Sequence, residues 1–516
     1  MKNLVLLASC VFAAACGDDG GSTNPDASMP DAAADAAIDA PVSTYTPPMA
    51  QSFGYSAAGH DQVQAATAGP NGGWYTVGWR AADVQATTPR TIIVTKLLPS
   101  GMPDMTWGTA GTVDTLVPFK GGNDELDIAV YGGTGAQAGK IVVSAVVAAQ
   151  TVNPVDAADT DVAILRLTAA GALDTTFDSD GIVYHNFNTS LPVVSGTNTT
   201  FPGRDTVRGL ALQDNGALFL HGSQRAEGDI TGMPGSPRSD SDFLVAKLTD
   251  AGALDTAWGG GDGKFLQDIY FNNTHTNATA RGIFTIAGAM GEVLAGGYAT
   301  SGISGTGGGP QAVLYRLTNT GTLKTSFNPT GPVPGLFHDV VLALQTEVYN
   351  VAIHGSNVVT GGYGRNTGTN NDFISLRFNL DTGARDTTWG APAFTDGKVF
   401  FDPTPADNLA GSNCHSAVAL PGGKTLLIGS SNRTTTNGGA NPEVRDAVFA
   451  VLTATGTLDT TFGTGVNTYK LGDDGADQFW GAAVNGNKVL IVGYRGTKGT
   501  ASATNNDDAY SVVLPL

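Results

Sequence analysis

Short apolar runs alternate with Gly-, Asn- and Asp-rich punctuation along most of this chain, and they recur in a fixed order. One kind follows a Gly turn, as in Lys140-Ile141-Val142-Val143 and Lys488-Val489-Leu490-Ile491-Val492. Its further copies begin near Trp74, Ala217, Glu292, Asn357 and Lys424. A second kind follows a polar loop, as in Asp161-Val162-Ala163-Ile164-Leu165-Arg166-Leu167 and Asp242-Phe243-Leu244-Val245-Ala246-Lys247-Leu248. Its other copies are Thr91 to Leu98, Ala312 to Leu317, Asp372 to Phe378, Ala447 to Leu452 and Ala509 to Leu514. Runs of this length, rich in Val, Ile and Leu and bounded by turn formers, predict strands. No sustained 3.6-residue periodicity accompanies them, which argues against a helical solenoid.

Between the runs lies a repeated motif. Gly171-Ala172-Leu173-Asp174-Thr175-Thr176-Phe177 returns at Gly252 to Trp258 and Gly456 to Phe462, with looser copies at Gly101 to Trp107, Gly321 to Phe327 and Gly383 to Trp389. A period of about 60 to 80 residues means one supersecondary unit stacked on itself. Each unit reads as an inner strand (Asp205 to Leu212), the Gly-turn strand, the Asp-led strand, and an outer strand after the motif (Gly181 to Phe187, Gly263 to Phe271). Four-stranded antiparallel units repeated radially predict an all-β fold, a β-propeller. Three of the elements occur seven times, but the motif and its outer strand occur six times, and the last unit ends after its third strand. Gln51 to Ser56 resembles Thr468 to Gly472, so the N-terminal strand is expected to complete the seventh blade. An open stack would leave two unpaired sheet edges.

The repeat resembles the delta-60 family of bacterial extracytoplasmic propeller repeats, whose unit runs approximately Leu-x-x-x-Gly-x-Leu-Asp-x-x-Phe-Gly-x-x-Gly. The resemblance covers Gln51 to Leu516. Pro103 and Arg385 depart from it at the Leu, Lys324 at the Asp, and Asp178 and Asn328 at the Gly after the aromatic. It implies a fold and an extracytoplasmic address, and it supplies no catalytic residues.

The N-terminal segment carries the address. Lys2 precedes an apolar stretch, Leu4 to Ala15, too short to span a bilayer as a helix. Residues 1–15 are read as a signal peptide. Ala13-Ala14-Ala15-Cys16 resembles a lipobox, with Ala13 where Leu is usual, which makes Cys16 the acylated first residue of the mature chain. Cleavage after Ala15 without lipidation is the plainer alternative. Residues 16–48, rich in Asp, Ala and Pro, have too little apolar surface to offset ordering and are expected to form a disordered tether, with the propeller over 49–516. The expected location is the cell envelope, as an outer-membrane lipoprotein facing the periplasm or the cell surface. With Cys10 in the signal peptide and Cys16 at the anchor, Cys414 is the remaining thiol, so the body has no internal disulfide. The net charge of −19 argues against nucleic acid as a partner and against electrostatic docking on anionic lipid.

The motif Asp residues are expected to accept turn N–H groups, with Leu173, Leu254, Leu323 and Leu458 buried and the aromatic packed between blades. A second set of carboxylates, Asp159, Asp161, Asp240, Asp242, Asp372, Asp446, Asp507 and Asp508, precedes or opens third strands. Asp61, Asp127, Asp205 and Asp477 open or lead into inner strands. In an up-and-down blade both starts share one face, where the long connections also lie, and binding tends to sit on variable loops over a rigid scaffold. That acidic rim is the candidate site. Turn capping explains the same residues, and weak Ca²⁺ binding is a further option, although no EF-hand spacing occurs. The seven His residues show no His-Glu-x-x-His or paired spacing, and there is no Gly-x-Ser-x-Gly elbow. The expectation is a binding or scaffolding module without a cofactor, engaging a protein or glycan partner. The alternative is a propeller enzyme, a hydrolase, lyase or quinone-cofactor dehydrogenase, with its site in the channel. Several His, Arg and Asp converging on the channel from different blades would favour the enzyme.

Overall fold

The computed structural model describes residues 45–55, 60–81, 89–150, 159–188, 193–195, 198–201, 204–213, 215–229, 233, 238–271, 274–300, 309–368, 370–404, 411–432, 445–471, 476–496 and 508–516. Cys16, the segment up to residue 44 and Asp507 lie outside the described residues.

Seven four-stranded antiparallel sheets make the predicted seven-bladed propeller. Blade 1 is Asp61–Ala68, Trp74–Arg80, Arg90–Leu97 and Thr112–Phe119. Blade 2 is Leu126–Val130, Ile141–Ala148, Thr160–Leu167 and Ile182–His185. Blade 3 is Asp205–Leu212, Leu218–Arg225, Ser241–Leu248 and Lys264–Gln267. Blade 4 is Ala278–Thr285, Val293–Thr300, Pro310–Leu317 and Leu336–His338. Blade 5 is Gln345–His354, Asn357–Arg365, Asp372–Asn379 and Lys398–Phe401. Blade 6 is Ser412–Ala419, Thr425–Asn432, Arg445–Leu452 and Val466–Tyr469. Blade 7 runs Gln478–Asn485, Lys488–Arg495, Asp508–Pro515 and then Gln51–Ser52. Two small hairpins, 193–201 and 269–276, decorate the connections on either side of blade 3.

Both faces of a blade are covered by neighbours, which is why the strands read as continuous apolar runs rather than alternating ones. Every residue from Ile141 to Val147 is buried. One core cluster joins Val77, Ile92 and Trp107 of blade 1 to Ile141, Val143 and Ala163 of blade 2, and others continue around the ring.

The motif residues tie blade to blade. Trp107, Phe177, Trp258, Phe327, Trp389 and Phe462 are all buried. Each of the first five rings lies on the motif glycine of the next blade. On Gly252 (φ 89°), a Cβ would stand 2.7 Å from the Phe177 ring and 2.6 Å from Val183. Gly171, Gly321, Gly383 and Gly456 meet Trp107, Trp258, Phe327 and Trp389 in the same way. The motif Asp closes its own turn as expected: Asp174 Oδ1 accepts from the Thr176 N–H (3.2 Å) and hydroxyl (2.7 Å). Its other oxygen accepts from Arg166 Nε and Lys140 Nζ, both at 2.7 Å. Blade 4 reverses the signs. Lys324 stands at the Asp position, and Glu292, at the place of Lys140, accepts from Lys324 and Arg316 at 2.7 Å. The motif leucines are half-buried rather than buried, because they cover strand ends on the face of the disc.

Closure follows the predicted pairing, over a shorter strand. Gln51 pairs with Ser511 and Ser52 with Tyr510, and Phe53 N donates to Ala509 O (3.0 Å). Asp61 locks the joint, with Oδ1 accepting from Ala509 N (2.8 Å) and Oδ2 from Tyr55 N (2.9 Å). Among the described residues, contacts with the body already occur at Tyr45, ahead of the expected boundary. Its ring packs on Phe462 (5.6 Å between centroids), which has no motif glycine from blade 7, and Tyr469 donates to Pro48 O (3.0 Å). Replacing Asp61 by Ala strands one buried and one part-buried N–H group, so Asp61→Ala is expected to cost about 2–3 kcal/mol in urea unfolding. Truncation before residue 44 should leave the urea midpoint unchanged.

Candidate functional site

The inner strands surround a central channel, and six of the seven carry a one-residue irregularity in their first half. The register shifts between Val63 and Ala65, Val207 and Gly209, Ala280 and Ile283, Val348 and Asn350, Cys414 and Ser416, and Phe479 and Gly481. A β-bulge re-aims the extra side chain. Here it brings Gln64, Arg208, Arg281, Tyr349, His415 and Trp480, one per blade, to the wall of a single cavity of ≈ 490 Å³. Opposite each bulge the second strand carries a glycine: Gly78, Gly222, Gly297, Gly362, Gly429 and Gly493. A Cβ there would lie 1.8–2.2 Å from a carbonyl oxygen of the bulged strand. Blade 2 has no bulge, and at the matching place Ala145 pairs with Leu126.

Where blade 2 lacks a bulge residue, its entry turn supplies acid instead. Asp124, held at φ 62°, accepts from Arg208 Nε (3.4 Å) and pairs closely with Arg281. Arg208 Nη2 also donates to Glu125 Oε1 (2.5 Å). Arg281 lies over the Tyr349 ring (3.8 Å to the centroid) and donates to the Tyr298 hydroxyl (3.0 Å). Tyr349 and Tyr363 share a hydroxyl hydrogen bond of 2.9 Å. Glu347, buried beside them, accepts from Gln345 Nε2 (2.7 Å), and burial pushes its carboxyl up against the opposing pull of Arg281.

His415 stacks flat on Trp480, with centroids 3.8 Å apart and planes within 2°. Its Nδ1 is bonded to Phe479 O (2.9 Å), and burial pushes its pKa down to about 3, so the ring is neutral. Gln64 Oε1 and Trp480 Nε1 are buried beside the cavity without hydrogen-bond partners. Away from this polar ring the wall turns apolar, with Leu212, Phe284, Ile353, Val418 and Ala482.

The sequence-predicted rim residues sit where expected, at third-strand starts, and are spread around the disc rather than gathered. Asp161 is buried and accepts from Gln150 N (2.7 Å), with burial raising its carboxyl. The charges of Asp159 and Asp161 help burial hold Asp205 up at about 7. Asp240 and Asp242 converge with Asp268 on Arg238 Nη2 at 2.5, 2.7 and 2.7 Å. Asp240, Asp268 and His275 place ligand-type atoms within 4.8 Å of one another, but the Arg238 guanidinium already supplies a cation to the carboxylates there. Asp372 is raised to about 6 by burial and by Asp402, Asp446 is buried, and Asp508 pairs with Arg495. Of the inner-strand carboxylates, Asp61, Asp205 and Asp477 accept N–H groups from the preceding connection, and Asp127 lines the channel.

Asp127 is half-buried in the cavity wall, and the hydration it loses there pushes its carboxyl up to about 7 although Ile128 N and Leu210 N both donate to it at 2.8 Å. An unfolded Asp titrates near ~3.9. Between these values the folded state keeps a proton that the unfolded state has lost, so this contribution to stability is full below pH ~4 and falls as pH rises through about 7. The stability difference between wild type and Asp127→Asn, from urea midpoints at stepped pH, should therefore fall across that interval and level off above it.

No protein-family model matches the chain, and no curated protein sequence does. Among solved structures, a protein of unknown function from Dyadobacter fermentans is similar at 11% identity, covering 91% of this chain and 99% of that one, with a TM-score of 0.38. The β-propeller domain of the Trilobed protease from Pyrococcus furiosus matches at 7% identity over 88% and 95% of the two chains, TM-score 0.38. The α-L-arabinofuranosidase Arb93A from Fusarium graminearum matches at 11% over 89% and 98%, TM-score 0.39. At such low identities and TM-scores these likenesses assign neither a family nor an activity.

Proposed function

We propose that this chain is a lipid-anchored, extracytoplasmic binding propeller whose ligand is a neutral, hydroxyl-rich ring, a glycan end, held in the polar end of the channel. The observation that carries this reading is the mutual neutralisation of the charges there. Asp124 faces both Arg208 and Arg281, and Glu125 faces Arg208, so no arginine is left over for an anion. Tyr349 and Trp480, each with one ring face covered by Arg281 or His415, are half-buried in the cavity wall beside fixed donors and acceptors and would contact a ring-shaped ligand there. A cavity of ≈ 490 Å³ lies within the usual range for small-ligand sites and has room for one or two sugar rings.

The enzyme reading has one observation in its favour: two arginines, a histidine and acids from different blades do converge on the channel. Against it stands the weak basicity of His415: with Nδ1 bonded to Phe479 O its Nε2 lone pair is free, but burial lowers its pKa to about 3, far from that of an efficient general base near neutral pH. Hydrolysis of chromogenic glycosides or esters that is abolished in Asp127→Asn would shift the reading to an enzyme.

Calorimetric titration with a panel of neutral mono- and oligosaccharides tests the binding reading. At least one should bind, and Trp480→Ala should weaken it roughly tenfold or more through loss of stacking and contact area. Silence across the panel, or binding untouched by Trp480→Ala, would sink it. The anchor is tested separately: Cys16→Ser should move the protein from the membrane fraction to the soluble one, because stable anchoring needs the acyl chains.

A further inference from the structure

The six motif turns share one design and one face of the disc, but the turn of blade 1 is different. At three places the other five turns carry Thr or Asn, then Ala or Thr, then Thr. Blade 1 carries Leu98, Met102 and Met105 there, and they are 43%, 42% and 67% exposed. The substitutions cluster in a single blade, the one that adjoins blade 7. Ser511 Oγ donates to Gly101 O (3.0 Å) and Lys488 Nζ to Pro99 O (3.1 Å), which seats this turn against blade 7. The N-terminal arm reaches blade 7 from its other side on the same face, with Tyr45 on Phe462 and Met49 86% exposed.

We propose that Leu98, Met102 and Met105 form a membrane-contacting patch that inserts into the interfacial region of a bilayer. This rests on the lipid-anchored reading. The described chain begins at Tyr45 on this same face, across blade 7 from the patch, so an anchor at Cys16 would tether the protein through the face that carries the patch. The occupant is a lipid surface bound by apolar insertion, since a net charge of −19 opposes attraction to anionic headgroups. Flexible apolar side chains suit an irregular lipid interface. A patch this small binds weakly by itself, and the tether raises its effective concentration at the surface. With the motif face held down, the polar end of the channel, on the opposite face, points away from the membrane.

The test is flotation with neutral phosphatidylcholine vesicles, using the full chain carrying Cys16→Ser so that acyl anchoring does not contribute. This protein should show measurable partition. Adding Leu98→Thr, Met102→Ala and Met105→Thr installs the residues of the sister turns, so the turn should still fold, and should lower partition roughly fivefold or more. Equal partition of the two, no binding by either, or binding that rises with anionic lipid would overturn the proposal. So would concentration-dependent self-association that the triple change abolishes, which would mark the patch as an interface between copies. An unmodified Cys16 in the wild-type protein would remove the anchor and leave the vesicle result to stand or fall separately.

Discussion

One contact repeated around the ring carries the architecture: an aromatic side chain of each motif laid on the glycine of the next. The glycine must accept a left-handed backbone and must also lack a Cβ, because the ring occupies that volume. Neither partner can change alone. A smaller ring would leave a cavity between blades, and a side chain on the glycine would push the blades apart. The charged groups around the contact are less constrained. Arg166, Asp174 and Lys140 in blade 2 become Arg316, Lys324 and Glu292 in blade 4, with acid and base exchanged and the sum of two bases and one acid kept. Blade 7 has no motif glycine for Phe462, which is covered instead by Tyr45 of the N-terminal arm, and the N-terminal strand closes the ring.

This packing frees the inner strands to carry chemistry. Their outer neighbours supply the hydrogen bonds and the apolar faces, so an extra residue can be bulged into the channel at modest cost. The glycine opposite is the requirement, since the bulged carbonyl occupies the space of a Cβ. The six blades with that glycine have the bulge, and the blade with Ala145 does not. Backbone geometry is thus repeated, whereas the side chain it presents differs in nearly every blade.

The bulge residues act only in combination. Arg208 and Arg281 come from blades 3 and 4, their shared acid from the entry turn of blade 2, and the stacked pair His415–Trp480 from blades 6 and 7. Each charge is balanced by a partner on another blade, so the arrangement is fixed by the rigidity of the ring and not by local sequence. Such a preorganised polar end above an apolar wall suits selection by shape and hydrogen bonding more than by charge.

The blade number, the strand order, the closing strand and the carboxylates at strand starts were all legible in the chain, because they depend on local punctuation and on a repeat that any copy reveals. The role of the motif Asp was legible for the same reason. The channel was not. Gln64, Arg208, Arg281, Tyr349, His415 and Trp480 lie far apart in sequence and share no chemical identity, so no motif search joins them. Only the glycine opposite each bulge, set against Ala145, carried a trace of it. The rim carboxylates were located correctly, but what they touch depended on neighbours from other elements: Asp61 and Asp205 bind backbone, while Asp240 and Asp242 share Arg238. A repeat determines its own unit and its count; what faces the axis is decided only when seven units meet there.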